Sequence, residues 1–305
     1  MAVVIALVIG WSAWHTQTGH DGPPQVLVSI SAPIAARTPD SSEPLSQDGS
    51  TLARTKVASP VVDPVGGAPD LKRVFDDHMH SANAVQRRSA VRAFEACVPT
   101  FLPSAGQTPS PELLIAVLPA NQRPERETAY RALFARCYRL LGAGRESLDG
   151  VRQTLERDPQ SQAPGLRARE SLLAGRLDQV DPLVAEAFSS GDPADIASLA
   201  GLAAAMARSR ASNGLDADSL KRAQEVDAAL ALLPCDLGLE CSAQSLWSLQ
   251  LCVVEGLCAG DYQARLTARI APGSVDTEAV QKERLRLLNL IRSGRALVSA
   301  DLMSP

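Results

Sequence analysis

The stretch Asp192-Pro193-Ala194-Asp195-Ile196-Ala197-Ser198-Leu199-Ala200-Gly201-Leu202-Ala203-Ala204-Ala205-Met206 reads as a helix from its first residue. An aspartate ahead of a proline accepts a bond from the free amides of a first turn, and the proline presets φ where no amide partner is needed. Ile196, Leu199, Leu202 and Met206 recur at three- and four-residue steps on one stripe, with alanines beside it. That is the signature of a helix packed closely on other helices.

The same grammar runs outward in both directions. Asp181-Pro182 offers a second capping pair, and Asn83 or Ser81 can cap a helix through Val85, Val91 and Phe94 to Cys97, stopping before Pro99. Residues 127–141 carry Tyr130, Leu133, Phe134, Cys137 and Leu141 at helical spacing, with Gly142 as the stop. Later helices are expected over residues 215–233, 243–257, 261–271 and 276–292. Alanine supplies 47 of the 305 residues and aromatics only 4%, a composition that favours packed helices over sheets. Residues 71–305 therefore read as an all-α domain, an irregular α-solenoid-like array of about ten to twelve short helices.

The segment Ala187-Phe188-Ser189-Ser190-Gly191-Asp192-Pro193-Ala194 and the alanine-rich helix behind it resemble the inter-repeat hinge of Sel1-like and tetratricopeptide proteins. The likeness covers about one repeat. Pro234-Cys235-Asp236-Leu237-Gly238, leading to Cys241 and then to Gly256-Leu257-Cys258, resembles exported, cysteine-containing helical proteins of proteobacteria. What this resemblance implies is a location and a scaffold; it brings no catalytic residues.

Six cysteines, an even number, point to disulfides in an exported chain: Cys97, Cys137, Cys235, Cys241, Cys252 and Cys258. If residues 242–257 form a helix with Ser242 as its N-cap, Cys241 and Cys252 stand roughly 16 Å apart along it, beyond the ~7 Å Cα spacing a disulfide bridges. The favoured pairs are Cys235–Cys241 and Cys252–Cys258 as local clasps, with Cys97–Cys137 joining two early helices. The crossed pairing of Cys235 with Cys252 and Cys241 with Cys258 stays open. Zinc is the competing reading of the late cluster, but its five-residue spacers are looser than structural zinc knuckles, and the chain has no C-x-x-C redox motif.

Residues 2–14 form an apolar run broken only by Gly10 and Ser12. As a helix it rises ~20 Å against a ~30 Å hydrocarbon core. It reads as a signal-anchor, with a cleaved signal peptide as the alternative. No Lys or Arg precedes Arg37 and no small-x-small cleavage site follows; a start further upstream would account for the missing basic residues. Residues 15–70 hold eight of the 21 prolines and no helical period, so they read as a Pro/Ser-rich flexible linker, in which Val26–Ile30 alone has strand character. The expected location is the inner membrane with the body on the periplasmic side; the alternative is a periplasmic or secreted protein.

Chemistry is sparse. His15 and His20 lie in the linker, which leaves Asp76-Asp77-His78-Met79-His80. On a helix Asp76 and His80 share a face while His78 points away, and two ligands fall short of a zinc site. There is no Gly-x-Ser-x-Gly elbow and no P-loop, and Gly142-Ala143-Gly144 is a helix stop. The 34 acidic residues include no pair in a distinctive context, and Trp247 reads as core. No catalytic, cofactor or metal residue is assigned. A net charge of −4, and 27 basic against 28 acidic residues in the body, disfavour nucleic acid as a partner. The expectation is a non-enzymatic, membrane-tethered scaffold or interaction module for protein partners of the cell envelope. The alternative is an envelope hydrolase acting on cell-wall or peptide substrate.

Overall fold

The computed structural model describes residues 63–102, 111–118, 120, 123–210, 216–270 and 275–303. Their helices are α1 (Leu71–His78), α2 (Ala84–Phe101), α3 (Pro111–Ala116), α4 (Arg123–Leu141), α5 (Arg145–Arg157), α6 (Pro164–Leu173) and α7 (Val180–Ser189). There follow α8 (Pro193–Ala197), α9 (Leu202–Arg210), α10 (Ala217–Leu232), α11 (Leu246–Gln250), α12 (Tyr262–Arg269), α13 (Thr277–Arg292) and α14 (Ser299–Met303). Ten of these run eight residues or more, and the described residues contain no β-strand. Local caps set many of the starts: Asn83 accepts from Val85 N at 2.9 Å, Asp192 from Ala194 N at 2.9 Å and Asp276 from Glu278 N at 2.9 Å.

Apolar side chains gather in two cores. The first joins α1, α2, α4 and α5 with α11, through Leu71, Phe94, Leu133, Leu140, Leu246 and Val253. The second joins α6 to α10 with α12, α13 and α14, through Val184, Leu199, Leu202, Leu230, Leu287 and Leu302. Trp247 is half-buried and packs on both, so it is a hinge-pin between cores rather than the interior of either.

Several boundaries differ from the sequence reading. The body begins by Asp63, so residues 63–70 belong to the fold and not to the linker expected over residues 15–70. Val65 is fully buried, Asp63 accepts the Trp247 indole N–H at 3.0 Å, and the Gly66 carbonyl accepts Leu246 N at 2.8 Å. Those eight residues bury an apolar side chain and cap another helix, which offsets their ordering entropy. The apolar run 2–14 and residues 15–62 lie outside the described residues, and no described helix is long and apolar enough to cross a membrane.

α2 passes through Pro99 instead of stopping before it. Pro99 has no amide to offer the Glu95 carbonyl, but the helix runs on past it and closes with Leu102 N on Val98 O at 2.8 Å. Asp181 lies inside α7 and accepts Ser299 N at 2.9 Å, so it serves the start of α14. α11 starts at Leu246 with Ser245 as N-cap, not at residue 243, and passes into a wide π-turn over Leu251–Glu255.

The helix expected from Asp192 breaks in two, yet all four stripe residues remain buried. Gly165 of α6 lies so close to Ser198 that a Cβ there would overlap the Ser198 carbonyl, so α6 packs directly on the backbone at the point where α8 ends. The chain turns at Gly201, whose φ of 91° suits glycine. α9 then restarts with its first amides supplied from another helix: Asp227 of α10 accepts Ala203 N and Ala204 N, each at 3.0 Å.

Candidate interaction surface

One cluster of buried charges lies where the two cores adjoin. Arg88 and Arg92 lie one turn apart on α2 and face α8. Arg88 Nε reaches the Asp195 carboxylate at 2.9 and 3.1 Å, and Arg92 Nη2 reaches Asp192 at 2.5 Å. Glu186 of α7 accepts Arg88 Nη1 at 3.2 Å and Arg167 Nη1 at 3.1 Å. Arg88 and Asp195 are 2% and 0% exposed, so this belt is paid for in desolvation and held by close pairing. Burial pushes the Asp195 carboxyl up, with Arg92 and Arg88 pulling it back and Asp192 adding to the rise. Burial also lowers Arg92, but Asp192 and Asp195 outweigh it and hold the guanidinium above its ordinary value. The acids here are matched to arginines across helices, an arrangement that straps the cores together.

A second buried acid, Asp227, is 1% exposed and lies opposite Arg169. Burial pushes it up to about 7, against the pull of backbone amides from Ala204, Ala203 and Gly201 and of Arg169. Nothing local in the sequence marks Asp227, since the amides it serves lie 23 and 24 residues away.

All six cysteines are paired. Cys97–Cys137 joins α2 to α4 with Cα atoms 5.4 Å apart; Cys235–Cys241 and Cys252–Cys258 close short loops at 5.8 and 4.3 Å. The crossed alternative is therefore not the one formed, and the zinc reading of the late cluster loses its thiolates to disulfides. α1 ends at His78, so His80 lies beyond the helix that would have set it over Asp76, and Asp76 instead pairs with Lys72 at 2.6 Å. Among the described residues no three His, Cys, Asp or Glu side chains converge to hold a metal.

The open chemistry lies on α4. Its inward stripe is Ala129, Leu133, Cys137 and Leu140. A second stripe, Tyr130, Phe134 and Tyr138, runs along its edge at four-residue steps, and Phe101 from the end of α2 joins it. Ring centroids stand 5.4 Å apart for Phe101–Tyr130 and Phe101–Phe134, 6.2 Å for Tyr130–Phe134 and 6.1 Å for Phe134–Tyr138. Phe134 is 37% and Tyr138 65% exposed. Beside them lies an open groove of about 550 Å³ lined by Lys72, Phe134, Tyr138, Arg139, Leu141 and Gly142. At the other end the Tyr130 hydroxyl bonds the Glu112 carboxylate of α3; burial and this bond raise the phenol above its ordinary value. α3 exposes Leu113, and Val117 just past its end is exposed as well. The sequence reading set Tyr130 and Phe134 at helical spacing with Leu133 and Cys137 and did not tell the two stripes apart. The available signal was an excess: α4 carries more large apolar residues than one buried stripe can hold.

Fold and surface together define a disulfide-clasped, all-helical module with an aromatic groove open to water. No family model, characterised protein or solved structure matches the chain.

Proposed function

We propose that this chain is an exported, membrane-tethered interaction module that docks envelope proteins through the aromatic ladder of α4. The observation that carries the reading is the ladder: large apolar rings left in water one helical turn apart, on a helix whose other stripe is fully packed. Taking a fully exposed side chain of this size to full burial gains on the order of 1.5–3 kcal/mol; Tyr138, 65% exposed, keeps most of that gain and Phe134, 37% exposed, about a third. Export is supported by three disulfides with no cysteine left over, which suits an oxidising compartment, and by the apolar run 2–14. The hydrolase alternative draws no support from the buried acids, which face arginines or backbone amides.

Photo-crosslinking in intact cells tests the reading. A crosslinker at Tyr138 should give a discrete adduct that disappears with Phe134→Ser, while one at Leu285, which is 60% exposed on α13, should give none. Equal adducts from both positions, or an adduct insensitive to Phe134→Ser, would overturn it.

A further inference from the structure

We infer that the protein docking on the ladder is a second copy of this chain, with the two α4 helices antiparallel and level with each other at Leu133. The inference rests on the ladder being a docking surface and names what covers it.

The first observation is the symmetry of the exposed face. From residue 127 to residue 139 the exposed side chains of α4 are Glu127, Thr128, Arg131, Phe134, Ala135, Tyr138 and Arg139. A twofold axis across the helix at the height of Leu133 sets Glu127 level with Arg139 of the second copy. It likewise sets Thr128 level with Tyr138, and Arg131 level with Ala135. Phe134 lies about 1.5 Å along the helix from that axis and meets its own counterpart, while Glu127 and Arg139 lie about 9 Å out on either side. Every exposed position of this stretch thus faces an exposed position, which is what a contact between identical surfaces requires. The result is an aromatic centre with charged residues at its rim, the layout of a specific interface.

Charge fixes the direction and the register. Glu127 is 52% exposed and held only loosely, by Arg131 at 3.9 Å; Arg139 pairs with Asp70 yet leaves 72% of its side chain exposed. Antiparallel copies level at Leu133 form the Glu127–Arg139 pair twice. Parallel copies instead set Glu127, Arg131 and Arg139 each beside its own like. Antiparallel copies level at Ala135 oppose Arg131 to Arg139, and copies level at Arg131 oppose that arginine to itself. At Leu133 the Arg131 guanidinium meets the small side chain of Ala135 and keeps its own Glu127 beside it. Like charges brought together are what exclude the other registers.

Photo-crosslinking of the full chain in intact cells tests this, with the crosslinker at Tyr138 and two differently tagged copies expressed together. The natural chain should give an adduct that carries both tags at twice the mass of one chain. Glu127→Arg in both copies opposes arginine to arginine, and Arg139→Glu in both opposes acid to acid; each should lower that adduct by about tenfold or more. One copy with Glu127→Arg and the other with Arg139→Glu regains opposite charges at both ends. The adduct should then return to near its natural level, which also shows that both variants fold. The same return is expected when both substitutions sit in every copy. An adduct of any other mass would overturn the second copy as the occupant and leave the docking reading standing, whereas no adduct from the natural chain would overturn both. A two-copy adduct that survives the reversals, or that neither combination restores, would overturn the inference.

Discussion

Asp227→Asn should change how stability depends on pH. In the unfolded chain an aspartate releases its proton near pH 4, whereas Asp227, buried under α9, holds its own up to about 7. Between those values the native state binds one more proton than the unfolded state, so stability falls as pH rises, by about 1.4 kcal/mol per unit. Across the whole window this amounts to about 4 kcal/mol, an upper bound, and the slope flattens above pH 7. The stabilisation is therefore fully present at the acid end and lost toward neutrality. Asparagine keeps one acceptor for Ala203 or Ala204 and turns its NH₂ toward the other amide, which costs about 1–3 kcal/mol at every pH. Having no charge to desolvate, it escapes the slope. Urea unfolding at intervals from pH 4.5 to 8, with disulfides intact, should show the variant clearly weaker at pH 5 and its deficit closing, or reversing, by pH 8. Asp195 is pushed in the same direction and contributes to both curves, so the difference between them isolates Asp227. Parallel curves over the whole range would refute the reasoning.

Three further outcomes are expected. Cys97→Ala with Cys137→Ala opens a link spanning 40 residues and should leave a folded domain weaker by about 4 kcal/mol in urea, less any relief of strain. Arg88→Ala leaves Asp195 buried with only Arg92 nearby and should cost about 3–5 kcal/mol, much of it recovered by Arg88→Met with Asp195→Leu; a cost below 1 kcal/mol would show that the belt does not hold the cores together. A chain beginning at residue 71 should melt roughly 5–10 °C below one beginning at Asp63, because Val65 and the Asp63–Trp247 bond are lost, and equal melting curves would return residues 63–70 to the linker.

What could be read from sequence follows the range of the interactions. Asn83, Asp192 and Asp276 cap amides two residues ahead, and Cys235–Cys241 and Cys252–Cys258 span six residues each, so local spacing was enough to place them. The all-helical class also follows from short-range periodicity. Asp227, Arg88 and Asp63 act across 23 to 184 residues, on Ala204, Asp195 and Trp247, and leave no periodic mark. The broken helix after Asp192 shows the same limit from the other side. Its stripe is a sound helical pattern, and the turn at Gly201 and the remote cap at Asp227, which divide it, leave no mark in that pattern. The ladder was half visible: its spacing is helical, but exposure depends on what the rest of the chain leaves uncovered.

That exposure has a structural counterpart in how α4 is held. Cys137 bonds it to α2, and Arg126 grips the Val253 and Val254 carbonyls at 2.7 and 2.8 Å. Arg136 takes the Gly66 and Gln244 carbonyls at 2.9 and 2.7 Å, and Arg139 takes Asp70. A helix fixed by a disulfide, a buried stripe and three arginines does not need its aromatic edge for stability. The rings can stay in water at fixed spacing, and a partner that covers them need not order the helix first. Preorganisation of this kind raises affinity by removing a cost of binding rather than by adding contacts. The hold is tightest beside the exposed end of the ladder, where Arg136, Cys137 and Arg139 flank Tyr138 within one turn.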